Sequence, residues 1–246
     1  MWASLPMYDR PELVEAHDRF WAFMHDGLRE AGVSAPDALE RGERAFVWDD
    51  PAMLFSQTCG MPYRMELHKR VALVGTTDYG VEACPPGYYR SALVVRAIEP
   101  RSLIKLLGEA RIAFNMRHSQ SGFAALYSYA VGLGIAIDPQ VETGGHVASA
   151  QAVAEGGADL AALDAVSWRL MQRYDGLASA LAVAAWTKPT PGLPLVTAFP
   201  EMVPILRNAF NLALERLSDF DQEVLGIRAL VTIPRNAYLA EAGPHG

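Results

Sequence analysis

The fold is decided by one stretch of the sequence, Asn115-Met116-Arg117-His118-Ser119-Gln120-Ser121-Gly122-Phe123. A short apolar run ends here, a polar turn follows, and a helical pattern starts at Phe123, which is the strand–turn–helix junction of an α/β protein. The first turn of a helix leaves backbone N–H groups unpaired and carries positive partial charge. With the hydroxyls of Ser119 and Ser121, such a turn can hold a phosphate-like or carboxylate oxyanion, and Gly122 would let the ligand approach the backbone. The alternative is that one serine only caps the helix.

Strand-like and helix-like segments alternate on both sides of this junction. Buried strands are short apolar or β-rich runs, and helices show apolar residues at a spacing of three and four. This alternation predicts an α/β fold with mostly parallel sheets. The predicted strands are 2–8, 52–56, 71–75, 88–97, 111–115, 140–143, 160–163, 181–187 and 195–198, and the predicted helices are 11–31, 40–48, 103–110, 123–133, 146–155, 167–174, 202–217 and 222–225.

The strand–helix pattern restarts after residue 97, which predicts two lobes. The extended segments 88–97 and 183–198 are well placed to cross between them. We therefore expect one lobe from residues 1–92 and 190–246, and an inserted middle lobe from residues 93–189.

Composition excludes several functional classes. The chain has 246 residues, of which 51% are apolar, and its net charge is −7. No Lys/Arg run is present, so we expect no nucleic-acid partner, and no apolar run is long enough for a membrane-embedded protein. The first residues lack the basic start of a signal peptide, which makes a cytoplasmic location an alternative to export. Two cysteines, Cys59 and Cys84, leave a single disulfide possible.

Other strand ends offer polar side chains, and α/β proteins bind ligands at the carboxyl ends of their strands. Thr58 and Cys59 follow one apolar strand, His146 opens a helix, Asp164 ends a strand, and Tyr8 ends the first strand. Each has an ordinary alternative: a buried thiol for Cys59, a solvated loop residue for His146, a helix cap for Asp164 and an interface tyrosine for Tyr8.

Motifs that carry catalysis are missing from the sequence. It contains no paired catalytic carboxylates and no metal-binding or nucleotide-binding signature, so we expect no cofactor and no enzyme. His17, His25 and His68 are expected at the surface, whereas His118 lies near the serine turn.

Taken together, the junctions resemble the phosphate/phosphite/phosphonate family of ABC-transporter substrate-binding proteins, the PhnD-like group. The order of elements matches over nearly the whole chain, and the S-x-S-G turn is the most specific feature. The residues that carry the resemblance are Ser4–Tyr8, Gln57–Tyr63, Gly87–Ser91, Ser119–Gly122, Gly145–Ser149 and Ala158–Asp164.

The resemblance implies a two-lobed, type II periplasmic-binding-protein fold with mixed sheets flanked by helices. It implies that the head of a small anionic ligand is held in an interlobe cleft that closes by a hinge. The turn at Gln57–Gly60 departs from the Gly-Pro turn that is commoner in phosphonate binders, so the ligand's identity stays open. The implied ligand-binding residues are Ser119, Gln120 and Ser121 for the anionic head, Tyr8, Thr58 and Tyr63 from the opposite lobe, and His146 and Asp164 for the rest of the ligand.

The resulting expectation is a substrate-binding protein for ABC-type uptake of a phosphonate-like or phosphate-like oxyanion. An ABC permease is the implied protein partner, and the periplasm is the implied location. Three alternatives remain: a cytosolic ligand sensor, an enzyme on the same fold that uses Cys59 or His146, and a protein that has lost its ligand.

Overall fold

The computed structural model describes residues 1–241 and 243. In chain order the strands are β1 (Trp2–Ser4), β2 (Met53–Gln57), β3 (Ala72–Asp78), β4 (Tyr88–Tyr89), β5 (Ser91–Arg96), β6 (Ile112–Phe114), β7 (Val141–Glu142), β8 (Leu160–Asp164), β9 (Leu181–Trp186), β10 (Thr190–Pro191), β11 (Pro194–Thr197) and β12 (Ala229–Val231). The α-helices are α1 (Val14–Glu30), α2 (Gly60–Met65), α3 (Leu103–Glu109), α4 (Ala125–Gly132), α5 (His146–Ala154), α6 (Ala165–Tyr174), α7 (Val203–Arg216), α8 (Asp219–Leu225) and α9 (Arg235–Leu239).

The chain forms two units, and the first is built from both ends of the sequence. Unit 1 comprises Met1–Glu82 and Pro191–Ala240, and unit 2 comprises Ala83–Thr190 together with Glu241. The first division therefore falls ten residues before the expected one at 92, because β5 pairs with β8 and β9 and belongs with the middle unit. The second division differs from the expected one by a single residue, and Glu241 groups with unit 2 and not with the first lobe as expected.

Unit 1 contains a five-stranded mixed sheet in the order β1-β2-β11-β3-β12. Strands β1 and β2 are parallel, and β11 runs antiparallel to β2 and β3, so β1, β2 and β3 all point the same way. Helices α1 and α7 pack against each other through Phe20 and Phe210, whose rings meet edge to face at 4.9 Å. The carboxyl ends of β1, β2 and β3 consequently lie along one edge of this sheet.

Unit 2 contains a second five-stranded sheet in the order β7-β6-β8-β5-β9. Alternate residues of β5 point to opposite faces, as in any strand. Leu93 packs with Leu126 of α4 on one face, while Val94 packs with Val153 of α5 and Met171 of α6 on the other. This sandwich fixes the start of α4 at the edge where β6 and β8 end.

The expectation of mostly parallel sheets is wrong, although α/β class and mixed sheets are confirmed. Strand β6 is parallel to β7 and β8, but β5 runs antiparallel to β8 and β9. Parallel neighbours need a crossover within one sheet, usually helical. Strand β5 instead follows the passage of the chain from unit 1 into unit 2, β11 follows its return to unit 1, and both run opposite to their neighbours.

Several local predictions also need correction. The strand predicted over 2–8 stops at Ser4, and Pro6–Tyr8 form a 3-10 turn, since proline fixes a helical φ at its first position. The helix predicted over 40–48 is only a 3-10 turn, Glu43–Phe46. The sequence analysis missed β10, β12 and α9 because each is short.

Two further expectations concern single side chains. His17 is not a surface residue: it is 4% exposed and its Nδ1 lies 3.2 Å from a carboxylate oxygen of Asp9. Cys59 and Cys84 do not form a disulfide. Among the described residues, no helix combines the length and the apolar character needed to cross a bilayer.

A buried carboxylate lies directly before β8 in unit 2, at the opposite end of that strand from Asp164. Asp159 lies within ion-pair distance of Arg96 (2.9 Å), Arg101 (3.0 Å) and Arg111 (3.3 Å). Burial alone would raise the pKa of Asp159, but hydrogen bonds from the three arginines outweigh it and hold the pKa well below its usual range. A hydrogen bond from Arg101 likewise lowers the pKa of Glu99 to about 2.

We expect Asp159→Asn to lower the free energy of unfolding by about 2 kcal/mol, because it removes the buried carboxylate that accepts charge-assisted hydrogen bonds from Arg96, Arg101 and Arg111. The matched control is Glu109→Gln, which removes an exposed carboxylate 4.0 Å from Lys105 and should cost less than about 0.5 kcal/mol. Urea denaturation at neutral pH measures both. Equal losses would contradict the role given to Asp159.

The lowered pKa of Glu99 also predicts that the protein loses stability as the pH falls. Its folded-state pKa is depressed, so its contribution to stability is complete above its ordinary pKa of 4.5 and disappears as the pH falls toward 2. Between pH 5 and pH 2 the wild type should therefore lose more stability than Glu99→Gln does, as followed by thermal unfolding.

Candidate functional site

The turn that begins the helix after β6 has an unusual geometry. Ser119 is extended and its Oγ accepts a hydrogen bond from the Gly122 N–H at 2.9 Å. Residues Gln120–Ala124 form a π-type turn, with the Ala124 N–H bonded to the Ser119 carbonyl at 3.0 Å, before the α-helical part continues as α4. Single π-turns of this kind occur frequently at functional sites. Ser119 is therefore a helix cap, the alternative considered for it above.

Ser121 has different partners. Its Oγ lies 3.0 Å from Nε2 of His146, the first residue of α5. Its carbonyl accepts a hydrogen bond from the hydroxyl of Ser91 at 2.9 Å, and the Ser91 N–H is bonded to Oγ1 of Thr187 at 2.9 Å. Ser121 is thus held by two elements of the same unit, through its carbonyl and through its hydroxyl, and its hydroxyl does not cap its own helix.

The surroundings of His146 favour its uncharged form. Burial lowers its pKa, against the opposing effects of nearby Asp164 and of the Ala162 carbonyl. A neutral imidazole can donate at one nitrogen and accept at the other, so Nε2 can pair with the Ser121 hydroxyl in either sense.

Asp164 ends β8 directly opposite Ser91 in the neighbouring strand. Its Oδ1 accepts hydrogen bonds from the N–H groups of Val166 (2.7 Å) and Ser167 (3.0 Å) and so caps α6. The capping alternative is observed for this residue, while a contact with ligand stays a prediction. Unit 2 therefore brings Ser121, His146 and Asp164 together at one edge of its sheet.

Gly122 serves a different purpose from the one expected. A Cβ at this position would lie 2.1 Å from Oδ1 of Asn115, so the missing side chain makes room for that amide. Asn115 is buried, and its Oδ1 also accepts a hydrogen bond from the Met116 N–H at 2.9 Å. The glycine thus lets the end of β6 and the start of the helix pack closely together.

Two of the residues expected from unit 1, Tyr8 and Thr58, follow the carboxyl ends of the parallel strands β1 and β2. Tyr8 follows β1, and its ring meets the ring of Tyr79 edge to face at 5.0 Å. Tyr79 directly follows β3, and its hydroxyl accepts a hydrogen bond from Nε2 of Gln57 at 3.0 Å. The sequence analysis did not single out Tyr79, although it chose Tyr8 because a tyrosine ends a predicted strand there.

Thr58 and Tyr63 differ sharply in their surroundings. Thr58 is fully buried after β2, and its Oγ1 has no hydrogen-bond partner among the described residues. An unpaired buried hydroxyl costs free energy that a bound ligand could recover. Tyr63 packs edge to face on Tyr238 at 5.2 Å, and burial raises its pKa. These are the contacts of a core residue, so a ligand contact for Tyr63 stays a prediction.

Comparison of the sequence with family models gives one match. Residues 61–227, more than half of the chain, match the family described as ABC transporter, phosphonate, periplasmic substrate-binding protein. No curated protein matches the chain in sequence.

Solved structures share the fold at low sequence identity. PhnD1 from Prochlorococcus marinus, in complex with methylphosphonate, has a TM-score of 0.72 at 13% identity, covering 96% of this chain and 94% of that one. XAC2383 from Xanthomonas citri, bound to ATP, has a TM-score of 0.66 at 14% identity, with coverages of 96% and 92%. A binding protein component of an ABC phosphonate transporter from Pseudomonas aeruginosa has a TM-score of 0.62 at 16% identity, with coverages of 92% and 77%.

The family match and the fold agree with each other and with the resemblance inferred from the sequence. The function expected of the chain, binding a solute for ABC-type uptake, is that of the matched family. The chain belongs to the phosphonate-binding family of periplasmic substrate-binding proteins of ABC transporters.

Proposed function

We propose that the protein captures a phosphonate-like or phosphate-like oxyanion and that residues 119–121 hold its charged head. The observation that carries the proposal is the turn itself, which places the hydroxyl of Ser121 beside His146 at the start of a helix. The methylphosphonate held by the Prochlorococcus marinus protein supports this class of ligand.

The chemistry of the turn suits an anion in a chain whose net charge is −7. Hydrogen bonds from hydroxyl and N–H donors to ionised oxygens are shorter and stronger than neutral ones. The partial positive charge of a helix N-terminus adds to them without a counter-cation. Neutral His146 contributes a directional partner and no charge of its own.

Unit 1 would supply the remaining contacts. We propose Tyr8, Thr58 and Tyr63 for this role, and we add Tyr79 because it contacts Tyr8. A ligand that binds residues of both units favours the arrangement in which both contact it, which is the basis of capture by hinge closure.

The comparisons say less about the part of the ligand beyond its charged head. The Prochlorococcus marinus protein is bound to methylphosphonate and the Xanthomonas citri protein to ATP, which differ greatly in size. In this chain the Asp164 carboxylate would accept hydrogen bonds from an amine or hydroxyl group of the ligand. Family membership also favours delivery of the ligand to an ABC permease and a periplasmic location.

The first test removes both hydroxyls of the turn. We expect Ser119→Ala with Ser121→Ala to weaken methylphosphonate binding by about tenfold or more, because charge-assisted hydrogen bonds are lost. Isothermal titration calorimetry measures the affinity. The matched control is Ser102→Ala, which removes the serine cap of α3 in the same unit and should leave binding unchanged. Unchanged affinity in the double variant would rule out this site.

The second test uses the unpaired hydroxyl of Thr58. Thr58→Val keeps the shape and removes a buried polar atom without a partner, so the ligand-free protein should gain stability by about 1 kcal/mol. The same change should weaken methylphosphonate binding if the ligand supplies the partner. Thermal unfolding and calorimetry measure these opposite effects.

Thr197→Val is the matched control for Thr58→Val. Thr197 is equally buried in unit 1, but its Oγ1 accepts a hydrogen bond from the Phe199 N–H at 3.1 Å. Its valine variant should lose stability by about 1–2 kcal/mol and should bind normally. A Thr58→Val protein that bound methylphosphonate like the wild type would remove Thr58 from the site.

A further inference from the structure

Unit 2 contains a pocket of about 420 Å³ that no part of the proposed oxyanion site occupies. One wall is a stripe of α4 that includes Ala125, Tyr129 and Gly132. The other wall is the end of β9 and the segment after it, with Trp186, Thr187 and Lys188. A water molecule has a share of about 30 Å³ in the liquid, so the pocket could hold a group of many heavy atoms.

The pocket is joined to the oxyanion turn by two short routes of hydrogen bonds. The Ala125 N–H donates to the carbonyl of Gln120, one of the proposed head-binding residues. On the opposite wall, Oγ1 of Thr187 accepts from the Ser91 N–H, and the Ser91 hydroxyl donates to the carbonyl of Ser121. Residues of both pocket walls are therefore neighbours of the residues that form the oxyanion turn.

The walls combine apolar and aromatic surface with one cation. The aromatic surface comes from Tyr129. The Trp186 side chain packs with Val94 and Met171 on the opposite face of the sheet, where the guanidinium of Arg90 lies 4.3 Å from the centroid of its ring. Lys188 has no carboxylate within ion-pair distance in the part of the chain that the structure describes, so its ammonium is available to a ligand. Ligand pockets typically have this character, mostly apolar with a few polar groups that set orientation.

We infer that the ligand is an organophosphonate or phosphate ester with a bulky, largely apolar substituent that fills this pocket and carries a second negative charge for Lys188. The inference rests on the proposed function, because the head must bind at residues 119–121 for the substituent to reach the pocket. A methyl substituent would leave almost all of the pocket empty.

The test compares three probes by calorimetry on the full chain: methylphosphonate, phenylphosphonate and 4-carboxyphenylphosphonate. We expect phenylphosphonate to bind about tenfold or more tightly than methylphosphonate, since buried apolar groups discriminate by such factors. The carboxylated probe should bind more tightly still. Lys188→Met should weaken binding of 4-carboxyphenylphosphonate about fivefold. The control is Lys105→Met, which replaces a lysine of α3 outside the pocket and should leave this affinity unchanged.

A larger side chain at Gly132, which lies in the pocket wall, would occupy part of the pocket. A Cβ at Gly132 meets no heavy atom within 4 Å, and the same is true of Gly108 in α3, which is the matched control. In Gly132→Leu, the ratio of the phenylphosphonate Kd to the methylphosphonate Kd should rise about tenfold. Gly132→Ala should give a smaller rise, and Gly108→Leu should leave the ratio unchanged. Circular dichroism confirms that each variant is folded.

Failure of this inference is distinguishable from failure of the proposed function. Similar affinities for the three probes, or a ratio that Gly132→Leu does not change, would overturn the inference about the substituent. Binding of methylphosphonate that depends on Ser119 and Ser121 would in that case leave the proposed function intact. If no phosphonate binds, or if replacing both serines leaves the affinity unchanged, the proposed function and the inference fail together.

Discussion

The structure of the site depends on how the start of one helix is held against the end of one strand. The π-type turn after Ser119 is fixed by its own cap, by the Ser91 hydroxyl on the Ser121 carbonyl and by His146 beside the Ser121 hydroxyl. Each contact comes from a different element of unit 2. A helix N-terminus binds an anion well only if its donors stay aimed at one point, and these three restraints supply that rigidity.

The same arrangement would allow an acidic protein to hold an anion at this turn. Long-range repulsion from a net charge of −7 is screened over about 8–10 Å at physiological salt, whereas hydrogen bonds at the turn act at contact. Burial lowers the pKa of His146 and so favours its uncharged form, which would give the site a directional partner without a charge that needs its own counter-ion. Selection among oxyanions would then depend on the placement of donors and acceptors, including the carboxylate of Asp164, and less on total charge.

The sequence predicted correctly those parts of the structure that depend on residues close together in the chain. The turn at residues 119–122, the helix that follows it and the helix at His146 were predicted, because caps, glycines and apolar spacing act over a few residues. The directions of β5 and β11 were not, since strand pairing joins residues far apart in sequence. The contact between Gly122 and Asn115 was not predicted for the same reason: nothing in the sequence shows that the Asn115 amide occupies the space beside the glycine. The contact of Tyr79 with Tyr8 likewise exists only in the folded sheet.

A ligand can bind the oxyanion turn with its head group and the pocket with its substituent at the same time, because neighbouring residues form the two sites. Because Gln120 and Ala125 are joined across one helical turn, an oxyanion bound at the turn would bring its substituent to the pocket without further loss of translational freedom. The substituent contacts would then add affinity at low entropic cost, and they would do so only for ligands whose head is already placed. An architecture of this kind lets one family keep a common anion site while the residues along α4 and after β9 set which anion is captured.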